Sequence, residues 1–427
     1  MRAARGHHPA RCTARAHRIA RRRRVVARRA DASDRETAAA PSAAQLVNDA
    51  KSALDILTAA DSLPLPTDAS LAPHESQLHH RRKRKKTCSR ALQRLAKMLV
   101  GTRREDARRE ATSATQFARL VAGALWIDDD DETRNDPEAG VLFTETARAL
   151  GSLAPFEMEE AARVNFYATA AAATLPPRCA TVVAWALARC GSAVPNEVDV
   201  AMRGVPFRFQ PYLTAGLIDL ETLKREVPFK REQLTTRDGR RVDERRETCW
   251  MGEEHVGSYA YSGKIMQPVP MCPAVARVRD ALEEKTGERF DCCLINLYPS
   301  ETAACAYHTD PFMGIGYATD SIIVSVGETR RFSFRPLGST DAESHWIRTL
   351  DGDAIWMFAN CQDDFEHCVM TAEGDGNDAP RASIVFKRSL KRKSAAEARA
   401  KKKKKKKPPP SSSGGGGGGR KQPAKRR

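Results

Sequence analysis

The stretch A-Y-H-T-D-P-F at 306–312 places His308 and Asp310 two residues apart, just after an apolar segment. In an extended strand, positions i and i+2 face the same side. An imidazole and a carboxylate could therefore grip one ion together. A third donor, His367 in F-E-H-C-V-M, follows Asp310 by 367 − 310 = 57 residues. Two histidines and one carboxylate form the facial donor set of non-haem Fe(II), with coordination positions left open for a co-substrate and oxygen. Alone, His-x-Asp is a common chance pattern, and two polar residues in a turn are the competing reading.

A second run changes the balance. R-A-S-I-V-F-K-R at 381–388 puts Arg381, Ser383, Val385 and Lys387 on one strand face. A cation on an inward face is costly unless an anion pairs with it. L-I-N-L-Y-P at 294–299 likewise puts Asn296 and Tyr298 on one face, polar among apolar neighbours. Together these positions describe a metal site beside a pocket for a small dianion.

Short apolar runs must position these side chains. From about residue 205 they recur between turn signals: 291–299, 321–326, 330–336, 345–350, 353–358, 365–370 and 381–388 read as strands, with D-G-D (351–353) and G-D-G-N-D (374–378) as turns. Many short strands at this spacing predict a barrel or jelly roll. Residues 88–200 are rich in Ala, Leu and Arg with helical periodicity. There A-T-V-V-A-W-A-L-A-R-C-G (180–191) reads as a helix capped by Gly191. This segment is similar to the helices of organelle RNA-binding repeat proteins over about one repeat; a plain helical region is the alternative. The fold class is thus α+β, an α-helical region at 88–200 before a β domain at 205–390. Basic segments at 1–87 and 391–427 flank them, and both are expected to be disordered.

In chain order, N-L-Y (296–298), H-T-D (308–310), His367 and R-A-S-I-V-F-K (381–387) resemble the AlkB family of Fe(II)- and 2-oxoglutarate-dependent dioxygenases. Upstream, R-R-E-T-C-W-M-G-E-E-H-V-G-S-Y-A-Y-S-G (245–263) is similar to that family's nucleotide-recognition segment. The resemblance covers about 205–390 and implies a double-stranded β-helix. It implies that His308, Asp310 and His367 bind iron. It implies that Arg381 pairs with the distal carboxylate of 2-oxoglutarate, helped by Tyr298 and Asn296, with Ser383 a small polar neighbour. The family's second arginine falls on Lys387. Trp250, Tyr259 and Tyr261 fall in the base-binding wall, although a buried structural role suits Trp250 equally well. The implied activity consumes 2-oxoglutarate and O2 and hydroxylates an N-alkyl group on a nucleobase, which leaves as an aldehyde.

Three departures from the family pattern stand out. Lys387 is a point charge where arginine offers a planar fork; Arg388, next to it, should face outward unless the strand bulges. Pro311 and Phe312 follow Asp310 where nucleobase-repair members carry acids. The hairpin segment 232–247 has no aromatic residue, where duplex-repair members place a wedge. Its absence points to single-stranded DNA or RNA. His255 and His345 have no motif support and are expected at the surface; Cys361 and Cys368 are expected as core thiols.

The net charge of +17 is concentrated at the end. Residues 387–427 hold 18 Lys/Arg and one acid, Glu397, which is 18 − 1 = +17. Residues 87–386 hold 34 basic and 45 acidic residues, or −11. Residues 1–30 carry eleven Arg and no acid, as in an organelle transit peptide (chloroplast or mitochondrion), while R-R-K-R-K-K at 81–86 suits a nuclear import patch or a basic linker. Eleven cysteines without a C-x-x-C pair argue against a zinc ribbon and read as reduced thiols. No apolar run approaches the roughly 18–20 residues that span a bilayer. A monomer acting on nucleic acid is expected. The alternatives are a dioxygenase acting on a protein side chain and a non-enzymatic helical RNA-binding protein.

If the flexible cations bind nucleic acid, deleting 391–427 weakens binding and flattens its salt dependence, because fewer counterions are released. Affinity measured over a salt series checks this; unchanged affinity and slope would place the contact on the folded body.

Overall fold

The computed structural model describes residues 41–63, 74–101, 104–127, 137–236, 238–373 and 379–390. The expected transit segment, the low-complexity tail and the turn at 374–378 lie outside them. Among the described residues no helix is long and apolar enough to cross a membrane.

Helices run from Ala43–Asp49 to Asn196–Ala201, so helical structure begins well before residue 88. The basic run 81–86 lies inside the helix His74–Met98. Cys88, Ala91, Leu92, Leu95 and Ala96 bury one face of that helix. Upstream of them its charges obscure the apolar stripe. The helix Pro177–Arg189 starts with proline in its first turn and ends on Gly191 at φ 69°. Ser192 N–H donates to Leu187 O and Gly191 N–H to Ala188 O. This is a Schellman cap, and its left-handed residue suits glycine.

The first strands are β1 (Phe207–Gln210), β2 (Gln233–Thr235), β3 (Arg241–Asp243), β4 (Glu247–Gly252), β5 (Tyr259–Tyr261), β6 (Lys264–Met266) and β7 (Cys292–Tyr298). The rest are β8 (Cys305–His308), β9 (Tyr317–Gly327), β10 (Arg330–Pro336), β11 (His345–Thr349), β12 (Ala354–Met357), β13 (Phe365–Val369) and β14 (Arg381–Ser389). One sheet has the order β1-β12-β9-β14-β7-β4, and a second has β11-β10-β13-β8. All their ladders are antiparallel. β2–β3 and β5–β6 are separate hairpins.

The expectation of a jelly-roll double-stranded β-helix is corrected here. The two sheets are not closed into a barrel: the larger ends on β1 and β4, the smaller on β11 and β8. Short strands with regular turns look alike in sequence whether two sheets stack open or roll up.

The six-stranded sheet is buried on both faces. Cys293, Ile295, Val324, Ile384 and Phe386 face Val275, Val278 and Leu282 of the helix Pro273–Thr286. That helix was not foreseen from sequence, though proline in its first turn and Gly287 at its end are ordinary helix signals. The opposite face carries Leu294, Ile323 and Val385 toward the smaller sheet. Phe207 of β1 stacks on Phe334 of β10 with ring centroids 3.8 Å apart.

The helices dock on the smaller sheet and on the turn after β11. Arg189 donates both bonds of Nη1 to the Asp353 carboxylate at 2.6 and 2.8 Å, fully buried. Arg148 lies over the Trp346 ring at 3.5 Å. His345, expected at the surface, is buried beneath the helix Pro177–Arg189. Thr181 donates its hydroxyl to Pro177 O, which leaves its oxygen, 2.9 Å away, to accept from His345 Nδ1.

Burial, aided by Arg178, lowers the His345 pKa from 6.5 to about 4. Between those values the unfolded chain takes up a proton that the folded chain refuses. Stability therefore falls as pH drops through that window. Thermal melts of the wild type and His345→Gln at about pH 7 and about pH 4.5 should show a smaller acid-induced loss in the variant.

Candidate metal centre

β8 and β13 pair with His308 opposite His367. Asp310 leaves β8 two residues later, and its backbone N–H donates to Gln362 Oε1 at 2.7 Å. One ligand atom from each of His308, Asp310 and His367 lies within 4.8 Å of the others. His308 Nδ1 donates to Ala306 O at 2.9 Å. Its Nε2 is 3.7 Å from Asp310 Oδ1. A ligating histidine is commonly held in this way, one nitrogen on a carbonyl and the other facing the ion. The donor set thus fits a divalent metal of the Fe(II) type.

Charge in the cluster is arranged around Asp310. Burial works against its ionisation, but Lys387, His367 and His308 outweigh burial and hold its pKa far below the usual range. Burial, reinforced by His308, pushes His367 down to about 3 and keeps it neutral.

The inward row of β14 is as the strand pattern predicts. Arg381, Ser383 and Lys387 are all buried, whereas Arg388 is half exposed and 3.8 Å from Glu288. The register shift in this strand comes only after Lys387. Lys387 Nζ donates to Asp310 Oδ2 at 2.6 Å. Six residues of strand, about 20 Å, separate it from Arg381, so the two cations cannot share one carboxylate. Lys387, expected at the co-substrate, has the Asp310 carboxylate as its partner in this structure.

At the other end of the row, Arg381 Nη2 donates to Ser325 Oγ at 2.9 Å. Its Nε and Nη1 are buried with no partner, as is Asn296 Oδ1. Asn296 Nδ2 donates to Ser383 Oγ at 3.3 Å. Tyr298 lies opposite Arg381 in the ladder, with the guanidinium 5.3 Å from its ring. Buried guanidinium donors without partners suit an anion such as a carboxylate.

The recognition segment divides in two. Trp250 is buried, donates Nε1–H to Gly257 O at 3.0 Å and stacks on Tyr259 at 4.6 Å. It is a core residue. Tyr259 is buried too, its hydroxyl without a partner. Tyr261 is half-buried and donates to Glu244 Oε1 at 3.1 Å. The β5–β6 turn has Ser262 and Gly263 both at positive φ, the mark of a two-residue hairpin loop.

Sequence reasoning missed four polar residues beside this wall. Glu244 accepts from Arg246 Nε at 2.7 Å and from Lys264 Nζ at 2.5 Å. Arg246 Nη1 donates to Cys305 Sγ at 2.7 Å. Burial opposes the Cys305 thiolate, but Arg246 and His308 outweigh it and bring its pKa down to about 7. Arg246 opens the R-E-T-C-W stretch and was visible there. Nothing in the sequence sets Glu244, Lys264 and Cys305 apart from other polar residues.

A model of the 2OG-Fe(II) oxygenase superfamily matches residues 216–399. The chain is similar to Uncharacterized protein R406 of Acanthamoeba polyphaga mimivirus, 33% identical over 190 residues, which cover 44% of this chain and 95% of that protein. It is similar to the alpha-ketoglutarate-dependent dioxygenase alkB homolog 3 of Mus musculus, 31% identical over 206 residues, or 45% of this chain and 69% of that protein. The Bos taurus alkB homolog 3 is 33% identical over 190 residues, covering 41% of this chain and 64% of its own length. The chain spans about three fifths of the cattle, human and rat homologues.

Replacing Lys387 by Ala leaves the Asp310 carboxylate buried without its cation. Such a loss costs about 3–5 kcal/mol, and the lower end applies here because His308 remains nearby. Chemical denaturation in metal-free buffer should show that loss for Lys387→Ala and a much smaller one for Arg388→Ala. The reverse ranking would mean that the strand faces the other way.

Proposed function

The chain belongs to the AlkB family of 2OG-Fe(II) oxygenases, and on that premise we propose that it oxidatively removes N-alkyl groups from nucleobases, preferring single-stranded DNA or RNA. The observation that carries this reading is the His308–Asp310–His367 cluster on the same inner surface as the buried guanidinium of Arg381, two of whose nitrogens have no partner. In this reading His308, Asp310 and His367 hold Fe(II), and Arg381 holds the far carboxylate of 2-oxoglutarate. Iron with 2-oxoglutarate and O2 supplies the oxidising power that hydroxylates an alkyl carbon on nitrogen.

The chain's own contribution is placement. Lys387 keeps Asp310 ionised and oriented. Ser383, Asn296 and Tyr298 line the pocket between the metal ligands and Arg381. Tyr261, with Glu244 and Arg246, forms the polar part of the wall that a base would meet; Trp250 supports it from behind. Holding the alkyl carbon in reach of the metal is the main task left to the protein.

Single strands are favoured by what the β2–β3 hairpin carries. Among its described residues there is no aromatic side chain, and Arg240 at its tip is tied to Asp238 at 2.6 Å. Flipping a base from a duplex costs a few kcal/mol, and an inserted apolar wedge helps wrap the distorted duplex. Without one in this hairpin, a substrate that is already unpaired has the advantage.

Turnover of 2-oxoglutarate to succinate with iron, stimulated by N-methylated oligonucleotides and not by methylated peptides, is the expected result. The same modified base should react at least several-fold faster in a single strand than in a duplex at matched salt. Stimulation by peptides alone would move the substrate to protein. Arg381→Ala should raise the KM for 2-oxoglutarate by about a hundredfold or more, since breaking a buried charged pair costs about 3–5 kcal/mol. An unchanged KM would remove Arg381 from the co-substrate site.

A further inference from the structure

The loop that follows Asp310 is strained, internally hydrogen-bonded and apolar at its surface. Phe312 sits at φ 62°, the left-handed region that bulky residues avoid. Its carbonyl accepts three N–H groups, from Ile315 at 3.2 Å, Gly316 at 2.8 Å and Tyr317 at 3.1 Å. Gly314 N–H closes the loop on Tyr317 O at 2.7 Å. The backbone is therefore over-determined, which is the condition under which such strain persists, and it persists most often at ligand clamps.

Both ends of the loop are tied to the site. Lys387 Nζ, bonded to Asp310, also lies 3.5 Å from Met313 Sδ. Tyr317 packs edge-on against Trp250 and Tyr259, each at 5.6 Å. The loop thus bridges the metal ligands and the recognition wall. Between these anchors the chain leaves Phe312 52% exposed and Ile315 83% exposed. Neither side chain is spent on the core, so packing does not explain the strained backbone that displays Phe312.

The geometry points to the loop Pro311–Tyr317 as a base-stacking platform, with Phe312 contacting the base next to the modified one. This inference rests on the nucleic-acid reading above. A preformed loop presents the ring at little cost in conformational freedom. Every base has a flat face, so the contact tolerates any sequence. Phe312 would thereby do in a single strand what the β2–β3 hairpin is not equipped to do.

The test uses the full chain with Fe(II) and 2-oxoglutarate, and a short single strand carrying one N-methylated base. Phe312→Ala is expected to raise the KM for this strand about tenfold, ~1.4 kcal/mol, with kcat changed by no more than about twofold. Phe312→Trp should restore the wild-type KM. With an abasic site beside the methylated base, wild type and Phe312→Ala should have the same KM. Phe312→Gly, which relieves the backbone strain, should melt no lower than wild type yet show the raised KM, separating lost stacking from lost folding. An unchanged KM for Phe312→Ala, or an equal rise on the abasic strand, overturns the stacking role and leaves the demethylase reading intact. A wild type that turns over no oligonucleotide overturns both.

Discussion

The buried contact between Lys387 and Asp310 is the constraint on which the site depends. It joins the last inward position of a central strand to a loop residue that must carry negative charge in a dry surrounding. Lys387, with His367 and His308, outweighs burial and holds the Asp310 carboxyl below the usual range, in the charged form that is the better metal ligand. The contact therefore fixes the ionisation of Asp310 and its position relative to the two histidines. It also fixes the start of the loop that displays Phe312, since the same ammonium touches Met313.

The two sheets make that contact possible by keeping water out of one end of their interface. Apolar side chains of β7, β9 and β14 fill the middle, and polar ones occupy the ends. At one end Lys387 meets Asp310; at the other Arg381 is left with two unsatisfied donors. This asymmetry places the Lys387–Asp310 contact and the unpartnered Arg381 nitrogens at opposite ends of one strand. The N-terminal helices contact β11 and the turn that follows it. Their buried anchor, Arg189 on Asp353, holds the turn between β11 and β12 and so braces the sheet edge rather than the site.

Polar residues around the β5–β6 hairpin form a chain of contacts rather than a set of independent groups. Lys264, Glu244, Arg246 and Cys305 link the β5–β6 hairpin to the strand that carries His308. Burial makes each of these contacts costly to break, because the remaining partner would be left without solvent. The β5–β6 hairpin and the metal cluster are thus held in one register, with the hydroxyl of Tyr261 joined to the same chain through Glu244.

The sequence by itself determined the local elements and the donor types. Strand alternation put Arg381, Ser383 and Lys387 on one face and Arg388 on the other, and the D-G-D turn falls between the two strands it was expected to separate. These are period-2 and short-range steric effects, carried by neighbours in the chain. Only the tertiary structure decided what each inward cation faces: Lys387 meets Asp310 from 77 residues away, and Arg381 meets Ser325 with two of its nitrogens left without a partner. It also decided that the sheets stay open, that Trp250 and His345 are buried, and that Glu244, Lys264 and Cys305 join the site. Each of these depends on how separate elements stack, and the physical reason is the same throughout: periodicity reports which side a residue takes, while its partner is set by contacts between segments remote in sequence.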